Sequence, residues 1–382
     1  MKSLLEQAKA LAPLLAAQAR EAELLRQPTD EVIEAVRVSG IYSLMVPKAM
    51  GGHGADLDTF FDVVLELSRG DCSMGWVISF YIEHNFWLLH YAPEVVERVF
   101  DGANYVLAPG TLNLTGGKAV KVEGGYRLSG QWPWGSGLVH GTWVLAGAML
   151  QMGEVPAPYI FLMPDEDVEA VDTWHMAGMC GTGSQDFRID DVFVPEAYGL
   201  PFSLLTDVTS GIDARHEGPL YRTPLLPILG IAASTPILGA AQNACRTLAD
   251  QLRAKGEGRR ESSVPRGDSA LRIIGEAAIT LEAAELTLRS VLKDIMARRK
   301  EAPSQERQQW MARIAHAVSR CREAGSAIGA AAGGGSQRLE NPIQRALRDV
   351  NTASSHAVFD WDSRFADYGR SMTGEPLVGG LA

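Results

Sequence analysis

Apolar residues recur at helical spacing through the first hundred residues. Leu4, Leu5, Ala8, Leu11, Leu14 and Leu15 stripe one face of a helix, and Thr29-Asp30 can cap a second over Glu31–Ser39. Pro47 to Asp58, with Gly51, Gly52 and Gly54, interrupts the period. Phe60, Phe61, Val64 and Leu65 then mark another helical face. Cys72 to Tyr91 is dense in aromatic residues (Trp76, Phe80, Tyr81, Phe86, Trp87), and a further helix is predicted after Pro93.

The period changes near Tyr105. Val120 and Val122 alternate with Lys121 and Glu123, Gly124-Gly125 turns the chain, and Tyr126 and Leu128 alternate back, which predicts a hairpin. Short apolar runs at Trp143–Leu150, Tyr159–Met163, Val168–Trp174 and Phe187–Val194 extend this into a β domain. Helical spacing returns near Pro227 in four long segments: Ile228–Lys255, Ser269–Lys300, Ser304–Ala332 and Asn341–Met372. Short links and many small residues predict an antiparallel bundle. The order is helices, then strands, then helices, with domains at 1–104, 105–215 and 216–382.

Composition narrows the function classes. Asp and Glu outnumber Lys and Arg by 46 to 35, a net charge of −11, which repels a phosphate backbone and argues against nucleic acid as a partner. Cys72, Cys180, Cys245 and Cys321 are far apart and lack zinc spacing, so a reducing cytoplasm is expected and no metal is. No uninterrupted apolar run reaches ~18 residues, so no membrane span is predicted.

Phosphate-loop, GxSxG and HExxH signatures are absent, and the eight histidines are scattered. Three places remain where chemistry could sit. Gly130-Gln131-Trp132-Pro133-Trp134-Gly135-Ser136-Gly137 is either a strand end carrying core tryptophans or a wall for a flat aromatic ligand. Gly181-Thr182-Gly183-Ser184-Gln185-Asp186 is a tight turn or, less directly, an anion loop. His356, on the last predicted helix, and His84, among the aromatics, are either core histidines or bases kept neutral by apolar surroundings.

These pieces occur together in a known order. Pro47-Lys48-Ala49-Met50-Gly51-Gly52-His53-Gly54 and Glu66-Leu67-Ser68-Arg69-Gly70-Asp71-Cys72-Ser73 resemble the N-terminal signature of the acyl-CoA dehydrogenase superfamily. Leu128 to Trp132, Gly178 to Asp186 and Asp190-Asp191-Val192-Phe193-Val194-Pro195 resemble its middle domain. The resemblance implies an α+β multidomain fold: an N-terminal helical domain, a central β-barrel-like domain and a C-terminal four-helix bundle, assembled as a homotetramer. The dehydrogenases' Tyr-Glu-Gly-Thr base motif has no match, Glu375 being a poor substitute, and Lys255–Arg266 lacks their Gln-Phe-Gly-like segment.

The chain is more similar to the two-component flavin-dependent monooxygenases of that superfamily (group D, oxygenase component). That family includes the 4-hydroxyphenylacetate and secosteroid-phenol hydroxylases. Trp134-Gly135-Ser136 and Arg348-Asp349, His356 and Tyr368-Gly369-Arg370 carry the likeness. It implies reduced FMN or FAD supplied by a separate NAD(P)H:flavin reductase, O2 as co-substrate, and hydroxylation of a phenolic or polycyclic aromatic through a C4a-hydroperoxyflavin. By the same resemblance Trp134, Gly135 and Ser136 hold the flavin, with Ser136 at N5, and Arg259, or nearly as well Arg260, meets its phosphate. Trp76, Phe80, His84 and His356 line the substrate, with His356 as general base and His84 orienting substrate or hydroperoxide; by spacing alone, Asp360 at i, i+4 is either the residue that holds the His356 tautomer or a plain solvent-facing carboxylate. Trp76, Phe80, Phe86 and Trp134 form the wall that excludes water. An FAD-dependent acyl-CoA dehydrogenase and a non-catalytic flavin-binding member are the alternatives.

Overall fold

The computed structural model describes residues 3–151, 155–257 and 269–377. The chain opens with five helices: α1 (Leu4–Leu25), α2 (Asp30–Ser39), α3 (Leu57–Gly70), α4 (Cys72–Leu88) and α5 (Pro93–Phe100). Their starts follow local chemistry. Ser3 and Glu6 form a reciprocal capping box on α1, and the Asp71 carboxylate accepts from Met74 N–H at 2.9 Å to cap α4. Every residue of α4 is buried, so this helix is the axis around which the other elements pack.

Eight strands follow: β1 (Gly110–Thr111), β2 (Gly117–Val122), β3 (Gly125–Gly135), β4 (Trp143–Gln151), β5 (Ala157–Pro164), β6 (Glu169–Val171), β7 (Gln185–Pro195) and β8 (Gly199–Pro201). The predicted hairpin is present, with Val122 opposite Gly125 and Gly117 opposite Gly130. The strands form one mixed sheet in the order β6-β7-β3-β2-β4-β5-β8, with β1 also paired to β4.

This corrects the barrel-like expectation, because β6 and β8 end the sheet without meeting and it stays open. Both are three residues long, and β8 ends at Pro201, which has no N–H to extend a ladder. The sheet has its own core, in which Trp132 stacks on Phe187 at 5.5 Å and donates Nε1–H to Gly147 O at 2.6 Å.

After the short α6 (Phe202–Thr206) and α7 (Ile212–Arg215) come α8 (Leu225–Glu257), α9 (Ser269–Arg298), α10 (Ser304–Ala332), α11 (Pro342–Ala353) and α12 (Trp361–Thr373). The helical span Leu225–Ala254 is long and apolar enough to cross a membrane, but 94% of its most apolar 18-residue window is buried inside the protein, as a core helix is. Three of the four long segments form as read from the sequence.

The fourth does not: it breaks between Ala353 and Trp361, so His356 sits at a corner and not within a helix. Ser354 Oγ donates to Val350 O and Ser355 Oγ to Thr352 O, both at 2.6 Å. The Asp360 carboxylate accepts from Ser363 N–H at 2.9 Å and starts α12. Hydroxyl and carboxylate groups here take over the backbone's partners and end the helix.

Candidate active site

One face of α4 carries Trp76, Phe80 and His84 at i, i+4 and i+8. The ring centroids of Trp76 and Phe80 are 4.9 Å apart and those of Phe80 and His84 5.6 Å apart. His356 closes the row from the α11–α12 corner, 5.6 Å from Trp76. Four of the expected site residues therefore form one continuous line of rings. Phe86 is not among them; it packs on His90, 4.9 Å away.

Strand β3 enters from the other side. It carries bulges between Leu128 and Gly130 and between Trp132 and Gly135, and Trp134 has a φ of +69°. A non-glycine residue in that region is uncommon. Here it leaves the indole 59% exposed while the chain turns Ser136 inward. Gly137 must be glycine, since at φ +77° a Cβ would come within 2.5 Å of the Tyr81 hydroxyl, which itself donates to Gly137 O.

Ser136 is thereby held against α4. Trp76 Nε1–H donates to its Oγ at 3.2 Å, and Ser184 Oγ lies 2.7 Å away on the far side. Ser184 and Thr182 belong to the Gly181–Asp186 segment, which is the tight turn anticipated from the sequence. Their hydroxyls are 2.6 Å apart, and Thr182 Oγ1 donates to Met179 O at 2.8 Å.

The two histidines are in opposite tautomers. His84 Nδ1 lies 2.6 Å from Ala108 O, and a carbonyl can only accept, so Nδ1 carries the proton and Nε2 keeps its lone pair. At His356 the Val358 N–H donates to Nδ1 at 3.2 Å, so the proton of the neutral ring is on Nε2. Burial pushes both pKa values down to about 4, opposed at His84 by its bond to Ala108 and reinforced at His356 by the Arg364 charge. Both rings are therefore neutral at ordinary pH, one offering an acceptor and the other a donor. Asp360, expected to orient His356, caps α12 instead, because the helix break removes the i, i+4 relation.

One neighbour escaped the sequence reading. Glu83 is fully buried: its Oε1 accepts from Trp87 Nε1–H at 2.7 Å, while Oε2 has no hydrogen-bond partner and lies 3.6 Å from His84 Nε2. Burial raises its pKa to about 8, so the carboxyl is protonated at pH 7. The folded state then binds a proton the unfolded chain releases above pH 4.5, and stability falls as pH rises from there to about 8. Glu83→Gln should match the wild type at pH 4 and exceed it by about 1–3 kcal/mol at pH 8, read from denaturant melts at both values.

Arg348 and Asp349 each bond to other segments. Asp349, buried, accepts from Met179 N–H at 2.5 Å, and Arg348 donates to Ala177 O at 2.7 Å and to Glu23. Together they fasten α11 to the turn that carries Thr182 and Ser184. Arg259 and Arg260 lie outside the described residues.

Residues 231–361 match the family described as Acyl-CoA dehydrogenase, C-terminal domain. A pigment production hydroxylase from a Rhodococcus species is 34% identical over 98% of this chain and 97% of its own length. The oxygenase component of an FADH(2)-dependent resorcinol hydroxylase from a Rhizobium species is 32% identical over 95% of this chain and 92% of its own. The chain belongs to the oxygenase components of two-component flavin-dependent aromatic monooxygenases. The crystal structure of 3-HSA hydroxylase from Rhodococcus sp. RHA1 superposes with a TM-score of 0.95 at 26% identity, covering 100% of this chain and 99% of that one.

This monooxygenase works with reduced flavin and O2. An aromatic substrate and a separate flavin reductase fit the two-component system. The residues present fit a flavin ring. An exposed indole at Trp134 offers a face to stack on, and Ser136, half-buried two residues on, offers a hydroxyl beside it.

Proposed function

We propose that this oxygenase hydroxylates a phenolic or polycyclic aromatic, held in the row of rings between His84 and His356. The observation that carries the reading is the opposite protonation of two neutral histidines, His84 buried and His356 half-buried, along one aromatic wall. A phenol hydroxyl presents a proton and an oxygen, and the pair offers a lone pair at His84 Nε2 and an N–H at His356 Nε2 to receive them. Sharing of the phenol proton with His84 Nε2 builds negative charge on the phenol oxygen, donation from His356 stabilises that charge, and the charge activates the ring where an electrophilic oxygen must attack. This assigns His356 a donor's role in place of the base's role implied by the family resemblance.

Reduced flavin, when bound, activates O2 and supplies the oxygen atom that enters the ring. Trp134 would stack on the flavin, Gly135 lets the backbone approach it, and Ser136 Oγ would accept from its N5–H and hold that proton in place. Trp76 and Phe80 exclude water from the same space.

Three further parts of the reading have their own support. Leu271, Ile279 and Leu286 are 62%, 66% and 61% exposed along α9, an apolar stripe that supports assembly into a homotetramer. The net charge of −11 argues against nucleic acid and anionic membrane as partners, and four scattered cysteines fit a reducing cytoplasm. The changes of period near Tyr105 and Pro227 support a division into helical, β and helical domains.

The purified protein should bind photoreduced FMN or FAD. With O2 and a set of phenols and fused-ring phenols, it should release a product heavier by one oxygen atom. Stoichiometric FAD bleached by an acyl-CoA without oxygen would sink the reading in favour of dehydrogenation.

A further inference from the structure

The hydroxyls behind Ser136 form a chain whose direction can be worked out by counting protons. Its last contact is Thr182 Oγ1 to Met179 O at 2.8 Å, and since a carbonyl cannot donate, the Thr182 proton is spent there. Thr182 Oγ1 can then only accept from Ser184, so the 2.6 Å contact between them uses the Ser184 proton. Ser184 can in turn only accept from Ser136 across 2.7 Å, which uses the Ser136 proton. Trp76 Nε1–H, always a donor, completes the series into Ser136 Oγ at 3.2 Å.

Four contacts thus consume four protons, and no other assignment gives every contact one. Ser184 and Thr182 are 2% and 1% exposed, so no water competes for these bonds. In a dry interior, reversing the chain would set the Thr182 oxygen against a carbonyl with no proton between them, an arrangement that nothing nearby compensates.

We propose that Ser184 and Thr182 are positioning residues that lock the Ser136 proton inward, so that Ser136 presents only its remaining lone pair, as a hydrogen-bond acceptor, to a group on its exposed side. The proposal rests on the reading that Ser136 meets the flavin at N5. A reduced flavin has N5–H, which an acceptor satisfies. An oxidised flavin has an N5 lone pair, which an acceptor repels. The chain therefore makes the site prefer reduced over oxidised flavin, as a protein that receives reduced flavin by diffusion and must discharge oxidised flavin requires.

Neutron diffraction from ligand-free crystals in D2O tests the direction without any flavin. The deuterium of Ser136 should lie toward Ser184, and that of Ser184 toward Thr182. A Ser136 deuterium pointing into the cavity overturns the inference. Equilibrium titration of Ser184→Ala with oxidised and reduced FMN tests the consequence. Freed to rotate, Ser136 can donate to oxidised N5, so the ratio of oxidised to reduced Kd should fall about tenfold. That lowers the bound flavin's midpoint potential by about 30 mV.

Ser184→Thr, which keeps the hydroxyl, should restore the wild-type ratio. A ratio within about twofold of wild type in Ser184→Ala overturns the proposal. A wild-type protein that binds neither flavin form sinks the proposed function instead, and the deuterium positions then decide the direction by themselves.

Discussion

Replacing His356 by alanine should lower aromatic hydroxylation by about 10²–10³-fold while flavin binding is retained, because the substrate oxygen loses a preorganised N–H donor in a dry site. Glutamine separates donor from base. Its amide oxygen can accept from Val358 N–H and its NH2 can donate into the cavity, but it cannot take up a proton. Steady-state hydroxylation by His356→Gln should therefore stay within about tenfold of wild type. A glutamine variant as slow as the alanine variant would mean that His356 works as a base. The pH profile adds a second reading: with its pKa near 4, His356 should produce no break between pH 5 and 9.

The largest stability effect is expected at Trp76. Its side chain is 6% exposed, contacts the rings of both Phe80 and His356, and ties α4 to β3 through the Ser136 hydroxyl. Trp76→Ala removes an indole from the junction of three segments and should cost about 3–5 kcal/mol. Trp76→Phe keeps most of the ring but removes the N–H, and should cost about 1 kcal/mol. Denaturant melts of the two variants separate packing from hydrogen bonding. Equal losses would mean that the indole N–H, and not the ring, holds the junction.

Where the local signal was strong, the elements could be read directly. The Gly124-Gly125 turn between alternating strands, the aromatic helix from Cys72 and three of the four long C-terminal helices all form. Trp76, Phe80, His84, Ser136 and His356, singled out from the sequence, also lie together in the fold. What failed depended on contacts between distant segments. Apolar spacing in Asn341–Met372 continues across Ser354 to Asp360, so nothing periodic marks the break; the Thr-Ala-Ser-Ser run before His356 was the available signal.

Closure of the sheet could not be read either, because alternation gives strands and not whether the end strands meet. Glu83 looks like any helical glutamate until α4 is seen to be buried on all sides. Ser184 and Thr182 read as turn residues, and they are, but only the packed structure brings their hydroxyls to Ser136. The tautomers of His84 and His356 are set by Ala108 O and Val358 N–H, partners that residue type does not disclose.

The corner between α11 and α12 has a consequence for how this scaffold can diversify. In an unbroken helix each added residue would rotate everything beyond it by about 100°, and α12 would lose its register against α10. A turn can gain or lose a residue locally. Length changes between Ala353 and Trp361 can thus move His356 toward or away from the aromatic wall while both flanking helices stay seated. The corner works as an adjustable joint, by which one frame can be refitted to rings of different size.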